Sequence, residues 1–201
     1  MARCIVILFT IMFVQNSSAA TLLIWGDSLS AAYGIPQETA WPRLLDQKLQ
    51  REGYRYQIVN ASISGETSAG GLARLPAALS EHKPAIVIIE LGANDGLRGL
   101  PIAAMRNNLD AMIRASQGAG AKVMLIGMRM PPNFGPIYTT KFQEIYGTLA
   151  KERKTALLPF MMEGFALRED LFQNDNLHPT SAAQTLILQN VWPALKPLLK
   201  K

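Results

Sequence analysis

Four polar segments of the sequence carry side chains of the kinds that hydrolyse esters. The segments are Gly26-Asp27-Ser28-Leu29-Ser30, residues 60–67, residues 92–96 and residues 175–179. A serine hydroxyl is a weak nucleophile until a neighbouring base accepts its proton, and histidine suits that role because its ordinary pKa lies near neutrality. We therefore predict that Ser28 is a catalytic nucleophile and that His178 is its base.

The same segments supply partners for this pair. Asp175 lies three residues before His178, so a tight turn would bring its carboxylate onto the imidazole, where it stabilises the imidazolium. The tetrahedral intermediate of acyl transfer needs hydrogen-bond donors for its negative oxygen. We predict that the backbone N–H groups of Ser28 and Gly65 and the side-chain amide of Asn94 form this oxyanion hole, with Ser28 at the start of a helix.

Each segment taken alone also has an ordinary structural explanation. A serine such as Ser28 caps helices, Gly65 suits a tight turn, and residues 94–96 form a strong turn signal. A histidine before proline, as at His178-Pro179, is typical of the first residues of a helix. The functional interpretation therefore depends on the joint occurrence of all four segments.

Short apolar runs alternate with helical patterns along the chain. Residues 85–91 are rich in β-branched side chains and do not alternate with polar ones, which is typical of a strand covered on both faces. We predict strands at 21–25, 56–60, 85–91, 122–128 and, more weakly, 156–159. We predict helices at about 40–52, 68–80, 101–118, 138–153 and 180–199.

This alternation predicts a single α/β domain over residues 21–201, with a parallel sheet that carries helices on both faces. Ligands of such sheets bind at the carboxyl ends of the strands. The first three polar segments directly follow predicted strands. The predicted fold therefore brings the predicted chemistry to one edge of the sheet.

Residues 1–20 have the three parts of a secretory signal peptide. A short basic start is followed by a largely apolar run, residues 5–14, and then by small residues that place Ser18 and Ala20 at a cleavage site. The apolar run is too short for a bilayer, which takes about 20 residues to cross. We predict cleavage after Ala20, export to a periplasm or the medium, and no stable membrane anchor.

The composition argues against several other classes of protein. The chain of 201 residues has one cysteine, which excludes a disulfide framework, and two histidines. Two histidines leave little for a histidine-rich metal site, and we interpret His82 as a solvated residue at a helix end. The net charge of +5 comes from scattered basic residues, which does not favour nucleic-acid binding. We predict no metal, no cofactor and no nucleic-acid partner.

Three carboxylates near the predicted site have no assigned chemistry. Asp27 and Asp95 lie beside Ser28 and Asn94 in the sequence, and we interpret both as hydrogen-bond acceptors that brace loops. Glu90 ends an apolar strand. If it is buried it needs a partner, and the sequence names none.

Gly-Asp-Ser-Leu-Ser at 26–30 resembles the GDSL motif of the SGNH hydrolases. The four residues for which that family is named match, in order, Ser28, Gly65, Asn94 and His178, and the family's Asp-x-x-His matches Asp175. The resemblance runs over about residues 21–197. Residues 60–72 and 94–99 are most similar to the subgroup of periplasmic acyl-CoA thioesterase I, lysophospholipase and arylesterase enzymes.

The resemblance implies a three-layer, flavodoxin-like fold with strand order 2-1-3-4-5, and a serine hydrolase of fatty acyl esters and thioesters. It also implies that loops at 96–101 and 128–136 bound the acyl chain, so we predict substrate contacts from Leu97, Arg98, Pro131 and Phe134. One departure is visible, because the subgroup's usual Gly-Gly-Asn-Asp reads Gly92-Ala93-Asn94-Asp95 here. The added methyl group would shift Asn94 slightly or narrow the cleft, and we expect activity to remain.

Two other functions stay open at this point. Phe134 and Tyr138 are candidate aromatic platforms for a carbohydrate esterase that removes acetyl groups from polysaccharide. A binding module without catalysis would keep the same fold. Labelling of Ser28 by an organophosphate separates enzyme from module, and a panel of acyl chain lengths separates lipid esters from sugar esters.

Overall fold

The apolar runs of the sequence form one parallel sheet in the computed structural model, which describes residues 19–201. Its five strands are β1 (Ala20–Gly26), β2 (Tyr56–Asn60), β3 (Ile86–Glu90), β4 (Lys122–Ile126) and β5 (Ala156–Leu158). They lie in the order β2-β1-β3-β4-β5 and all pair in parallel. The predicted strand order is confirmed, whereas most of the predicted signal peptide, residues 1–18, lies outside the described residues.

The central strands are buried on both faces, as their β-branched composition indicates. Every residue of β3 is buried, and so are the last five residues of β1. These side chains join those of the surrounding helices in one hydrophobic core. A sheet covered in this way leaves only its strand ends for polar chemistry.

Residues 19–201 contain six α-helices, which cover the sheet in two layers. They are α1 (Trp41–Arg51), α2 (Ser68–His82), α3 (Ala93–Leu97), α4 (Ile102–Gly118), α5 (Pro136–Arg153) and α6 (Gln184–Leu195). The helices α1 and α6 pack together, while α2, α4 and α5 pack side by side. Right-handed crossovers place these two groups on opposite faces, so the predicted three-layer architecture is confirmed.

The structure corrects three local predictions. Residues 93–97, which lie outside the predicted helices, form the short helix α3. The predicted helix at 180–199 is divided into a 3-10 turn, α6 and a second 3-10 turn at Lys196–Leu198. The second division coincides with Pro197, which lacks the N–H that would continue an α-helix. Ser28 begins a series of turns instead of a helix, since Ala32 has a φ of 61° and a left-handed residue interrupts helical geometry.

The strand order places the first three polar segments next to one another. Strand β1 lies between β2 and β3, so the segments that follow these three strands meet at the carboxyl edge of the sheet. The fourth segment is held nearby by its own contacts. A backbone bridge joins Phe172 to Pro179, and Gln173 donates from Nε2 to the Tyr33 carbonyl oxygen over 2.9 Å.

Candidate active site

Ser28, His178 and Asp175 form one continuous chain of hydrogen bonds. Ser28 Oγ lies 2.8 Å from His178 Nε2, and His178 Nδ1 lies 2.6 Å from Asp175 Oδ2. A carboxylate can only accept, so the Nδ1 of a neutral imidazole carries the proton and Nε2 accepts from the serine hydroxyl. This tautomer is the one that a general base for Ser28 requires.

The turn that contains Asp175 holds its carboxylate against the imidazole. Asp175 Oδ1 accepts from the backbone N–H groups of Leu177 and His178 at 2.9 and 3.0 Å, and Asn176 has a φ of 56°. Partial burial raises the pKa of Asp175, but the hydrogen bonds from these two N–H groups and from the imidazole outweigh it and bring the pKa to about 2. The carboxylate is therefore ionised at neutral pH.

Gly65 lies in a loop that is anchored to the end of β1. Gly26 donates from its N–H to Ser62 Oγ over 3.1 Å, and the Ile63 N–H donates to the Gly26 carbonyl oxygen over 3.0 Å. Ser62 Oγ also donates to Asn60 Oδ1 over 2.7 Å, so its hydroxyl is engaged in bracing this loop. Gly65 itself has a φ of 78°, which glycine adopts without strain.

Asn94 is the second residue of α3, and its side-chain amide points to the segment that carries Ser28. Asn94 Nδ2 donates to Asp27 Oδ2 over 3.0 Å, while Asp27 Oδ1 accepts from the Leu29 N–H over 3.0 Å. Asp27 is only 1% exposed, and this burial raises its pKa to about 6 despite the hydrogen bonds. Asp27 braces the loop in the way the sequence analysis expects.

Two backbone donors of the predicted oxyanion hole are unengaged. Within residues 19–201, neither the Ser28 N–H nor the Gly65 N–H donates to a backbone oxygen. The Asn94 amide has two N–H bonds, of which the contact with Asp27 uses one. Donors without partners at a strand edge are able to bind a developing negative oxygen.

The profile of the GDSL-like Lipase/Acylhydrolase family matches residues 24–186. The chain belongs to this family. Its members act on acyl esters, so the small-molecule ester substrates and the ester-hydrolase class predicted from the sequence are confirmed at that level.

Similar proteins cover almost the whole chain. Esterase TesA of Pseudomonas aeruginosa is 52% identical over 189 residues, which are 94% of this chain and 94% of the relative. Thioesterase 1/protease 1/lysophospholipase L1 of Escherichia coli (strain K12) is 44% identical over 193 residues, which are 96% of this chain and 91% of the relative. A crystal structure of TesA has a TM-score of 0.87 and 54% identity, covering 89% of this chain and 99% of that chain.

Glu90 is a buried residue of the site whose partners sequence reasoning did not find. Its Oε2 accepts from Ser30 Oγ at 2.8 Å and from the Asp27 N–H at 3.3 Å. Burial, and then the nearby Asp27 carboxylate, raise the pKa of Glu90 well above its ordinary value. Local sequence patterns do not reveal such contacts, since Ser30 and Glu90 lie 60 residues apart.

The loops predicted to bound an acyl chain are joined to each other and to Gly65. Arg98 donates from Nη2 to the Gly65 carbonyl oxygen over 2.8 Å. Tyr138 donates from its hydroxyl to the Gly96 carbonyl oxygen over 3.1 Å, and its ring stacks on Phe134 with centroids 5.9 Å apart. The segment 128–136 thereby meets the α3 region that contains Asn94.

Three of the four predicted substrate residues are neighbours of these contacts. Leu97 and Arg98 are exposed at the end of α3, and Phe134 is half-buried. Pro131 is half-buried as well and caps the 3-10 turn Pro132–Phe134. The added methyl group of Ala93 is buried and belongs to the core, so it does not line the open edge of the sheet.

Tyr33 is a neighbour of His178 that the sequence analysis missed. The two ring centroids lie 4.4 Å apart, and Tyr33 is 50% exposed. It is the only exposed aromatic residue within 19–201. No sequence signal would have found it, because Tyr33 lies in a turn-rich segment without a periodic pattern.

The large apolar residues that are exposed within 19–201 share one location in the fold. They follow the carboxyl ends of strands, either before the next helix or in the short helix or first helical turn after it: Tyr33, Ile63, Leu97, Leu100, Ile137, Leu167 and Leu177. Ile137 is in the first turn of α5, directly after such a segment. Exposed apolar residues that gather at one edge indicate a binding surface.

The remaining candidate features lie outside this edge. His82 ends α2, the helix that returns from the carboxyl edge to the start of β3. Residues 19–201 hold no group of three or more His, Cys, Asp or Glu that is arranged to bind a metal ion. Within the same residues, no helix combines the length and apolar character needed to cross a membrane.

Proposed function

We propose that the protein hydrolyses fatty acyl esters and thioesters through an acyl-enzyme on Ser28. The observation that carries this proposal is the hydrogen-bonded chain from Ser28 Oγ through His178 to Asp175, with lengths of 2.8 and 2.6 Å. These distances lie within the range in which a base accepts a proton from its nucleophile. Hydrolysis by this route uses these three side chains, the oxyanion donors and water.

The first step forms the acyl-enzyme. Ser28 Oγ attacks the carbonyl carbon while His178 Nε2 accepts the hydroxyl proton, and the ionised Asp175 stabilises the imidazolium that results. The carbonyl oxygen becomes negative and is stabilised by the Ser28 N–H, the Gly65 N–H and the second N–H of the Asn94 amide. His178 then returns the proton to the leaving alcohol or thiol.

The second step releases the acid. Water attacks the acyl carbon as His178 Nε2 accepts one of its protons, and the same donors stabilise the second tetrahedral intermediate. Collapse of that intermediate breaks the bond to Ser28 Oγ, which recovers its proton from His178. Ser28, His178 and Asp175 are then back in their starting protonation states.

The apolar edge of the sheet supports a fatty acyl substrate. Exposed aliphatic side chains follow the carboxyl ends of four strands there, among them Ile63, Leu97 and Leu177. Each methylene removed from water by such a surface contributes about 0.8 kcal/mol. A relative named thioesterase and lysophospholipase, 44% identical to this chain, supports the same class of acyl donor.

A carbohydrate acetylesterase has weaker support. The rings of Phe134 and Tyr138 stack on each other, and Tyr138 also stacks on Phe142, so their faces are engaged within the protein. Tyr33 is the single exposed ring available as a sugar platform within 19–201. Acetylated xylan therefore belongs in the test as a competing substrate.

The test is a panel of p-nitrophenyl esters from acetate to palmitate, with palmitoyl-CoA and acetylated xylan beside it. We expect kcat/KM to rise from acetate to medium chains, a phosphonate to label Ser28, and Ser28→Ala to be folded and inactive. A steady fall of kcat/KM beyond acetate identifies a short-chain esterase instead. Full activity of purified Ser28→Ala overturns the mechanism.

Residues 1–20 are proposed to direct export and to be removed after Ala20. The basic start, apolar run and small residues before this bond support the proposal. Cleavage there removes only the first residue of β1. Mass spectrometry of the secreted protein should give an N-terminus at Thr21, and a product that retains Met1 contradicts cleavage.

A further inference from the structure

Glu90 is a fully buried carboxyl group that the proposed mechanism does not use. It is the last residue of β3 and is 0% exposed. Its Oε2 accepts from the Asp27 N–H and from Ser30 Oγ, so both of its donors belong to the segment that carries Ser28. Glu90 therefore holds this segment on either side of the nucleophile.

The sequence makes room for this carboxyl group at Gly26. A Cβ at Gly26 would lie 2.6 Å from Glu90 Oε2 and 2.9 Å from Ser30 Oγ, which is closer than non-bonded atoms approach. Any larger residue at this position would displace the Glu90 carboxyl group. Gly26, the first residue of the Gly-Asp-Ser motif, therefore leaves space for the Glu90 carboxyl group beside the segment that carries Ser28.

Glu90 has no counter-ion among residues 19–201. Within residues 19–201, no Lys, Arg or His forms an ion pair with it. Its Oε1 is buried without a hydrogen-bond partner among the same residues. A buried carboxylate in this situation is strongly disfavoured, and the neutral acid is the more stable state.

A proton on Glu90 removes the buried charge and keeps both observed hydrogen bonds. The neutral acid keeps Oε2 as the carbonyl acceptor for Ser30 and for the Asp27 N–H, and the proton turns Oε1 into a donor. The Asp27 backbone N–H donates to Glu90 Oε2 over 3.3 Å, and the charge of Asp27 favours the neutral form of Glu90. With Glu90 neutral, Asp27 stays the anion that accepts from the Asn94 amide.

We propose that Glu90 is a positioning residue that carries a proton at neutral pH and, through Asp27, holds Asn94 and the Ser28 segment in place for catalysis. The expected effect of Glu90 on catalysis rests on the proposed function. The protonation of Glu90 does not depend on that function. Glu90 acts through Asp27 and Ser30 and does not touch the substrate.

The titratable groups around this pair come from three other parts of the fold. Tyr146 of α5 is buried, and its pKa is raised by burial first and then by Glu90 and Asp27. Asp95 of α3 adds to that effect, while His178 lowers the pKa of Asp27. The set contains one potential cation, His178, and that residue is charged only when protonated.

The protonated acid can be observed directly. The difference between the infrared spectra of the wild type and of Glu90→Gln, both at neutral pH, should show the C=O stretch of a buried carboxylic acid in the wild-type protein. The band should persist in Asp27→Asn and vanish in Glu90→Gln. A spectrum without this band, or one in which Glu90→Gln retains it, overturns the protonation of Glu90 whatever the enzyme does.

Two neutral variants test the positioning role. Glutamine is neutral and preserves an acceptor for Ser30 and for the Asp27 N–H, so Glu90→Gln should keep kcat within about threefold of wild type. Glu90→Leu has a similar volume but neither group, and it should lower kcat by about 10² with KM unchanged, as for loss of an oxyanion donor. The rate of phosphonate labelling of Ser28 should fall in parallel.

Each outcome is decisive. Glu90→Leu with wild-type kcat and only a lower Tm shows a purely structural role, and Glu90→Gln as inactive as Glu90→Leu shows that the negative charge is required. Both results overturn the proposal. If Glu90→Leu does not fold, Glu90→Met serves in its place, and the infrared band remains a separate test. An active Ser28→Ala variant would show that the proposed function is wrong, and this result is distinct from those that overturn the role of Glu90.

Discussion

The Asn94 side chain donates a hydrogen bond from Nδ2 to Asp27 Oδ2 over 3.0 Å, across 67 residues of sequence. This bond links α3 to the segment that carries Ser28. It uses one N–H of the amide and fixes the direction of the other. The proposed oxyanion hole therefore depends on Asp27 as well as on the residues that donate to the substrate.

Asn94→Ala should lower kcat by about 10²–10³, because it removes one donor to the oxyanion. KM should change little, since the donor acts mainly in the transition state. Asn190→Ala is the matched control, because Asn190 donates from Nδ2 to the carbonyl oxygens of Met161 and Glu163. Equal kcat values for the two variants, measured on one ester, would contradict a role for Asn94 in catalysis.

Asp27 should make the protein more stable as the pH falls. Its pKa is raised from 3.8 to about 6 by burial, so the native state binds the proton more tightly than the unfolded state. The free energy of unfolding contributed by this group is therefore largest below about pH 4 and falls as the pH rises to about 6. Asp27→Asn should flatten this slope, measured by urea denaturation across the range.

The matched control for that measurement is Asp46→Asn, because Asp46 pairs with Arg43 near the surface. Asp27→Asn should also lower kcat, since a neutral side chain holds the Asn94 amide less firmly. Between about pH 6 and pH 4, protonation of Asp27 should therefore raise its contribution to stability and lower its contribution to activity. Identical stability slopes in wild type and Asp27→Asn would show that Asp27 is not the titrating group.

Asp175 should have the opposite effect on stability. Although partial burial acts against it, hydrogen bonds to its carboxylate lower its pKa from 3.8 to about 2. A group whose pKa is lower in the folded state stabilises the protein above its unfolded pKa, so this contribution is lost as the pH falls from about 4 to about 2. Thermal unfolding at these two pH values should show that acidification lowers the stability of Asp175→Asn less than that of the wild type.

Asp175→Asn should also lower kcat by about 10³–10⁴, because an amide donor facing Nδ1 favours the wrong imidazole tautomer. Asp170→Asn is a suitable control, since Asp170 pairs with Arg168 at the surface. The fold should be retained in both variants. A kcat of Asp175→Asn within about twofold of the control would remove Asp175 from the mechanism.

Gly26→Ala and Gly147→Ala should change stability in opposite directions. The new Cβ at Gly26 would meet Glu90 and Ser30 at under 3 Å, whereas a Cβ at Gly147 meets nothing within 4 Å. We expect Gly26→Ala to cost about 1–3 kcal/mol from overpacking and to lower kcat. Gly147 lies inside α5, so alanine there should add about 1 kcal/mol. Denaturant midpoints of both variants provide the measurement, and a neutral Gly26→Ala would refute the close contact.

Phe134→Ala should change the chain-length preference. Phe134 is half-buried beside Tyr138, in the segment joined to α3. Loss of its ring should lower kcat/KM for a decanoyl ester by about tenfold, equivalent to about 1.4 kcal/mol of lost apolar contact, and change acetate hydrolysis little. Tyr54→Ala is the control, because Tyr54 is a half-buried ring that precedes β2 at the opposite edge of the sheet. A uniform loss across all chain lengths would place Phe134 outside the acyl site.

The positions of the strands and the main helices could be predicted from the sequence, because they depend on local pattern. Buried parallel strands need continuous apolar runs, and β3 is such a run. Short elements were missed for the same reason, since α3 has only five residues, too few for a helical period. The turn at Asp175 was predictable because the donor and the acceptor of each of its hydrogen bonds are at most three residues apart in the sequence.

By itself the sequence determined the strand segments, the motif residues Ser28, Gly65, Asn94 and His178, and hence the family and its chemistry. Only the tertiary structure decided which groups surround them: Glu90 against Ser30, Asp27 against Asn94, Arg98 on Gly65 and Tyr33 beside His178. The physical reason is separation along the chain. A pattern of neighbours in sequence specifies backbone conformation, whereas contacts between distant residues arise only when the strands are ordered and the buried polar groups must find partners.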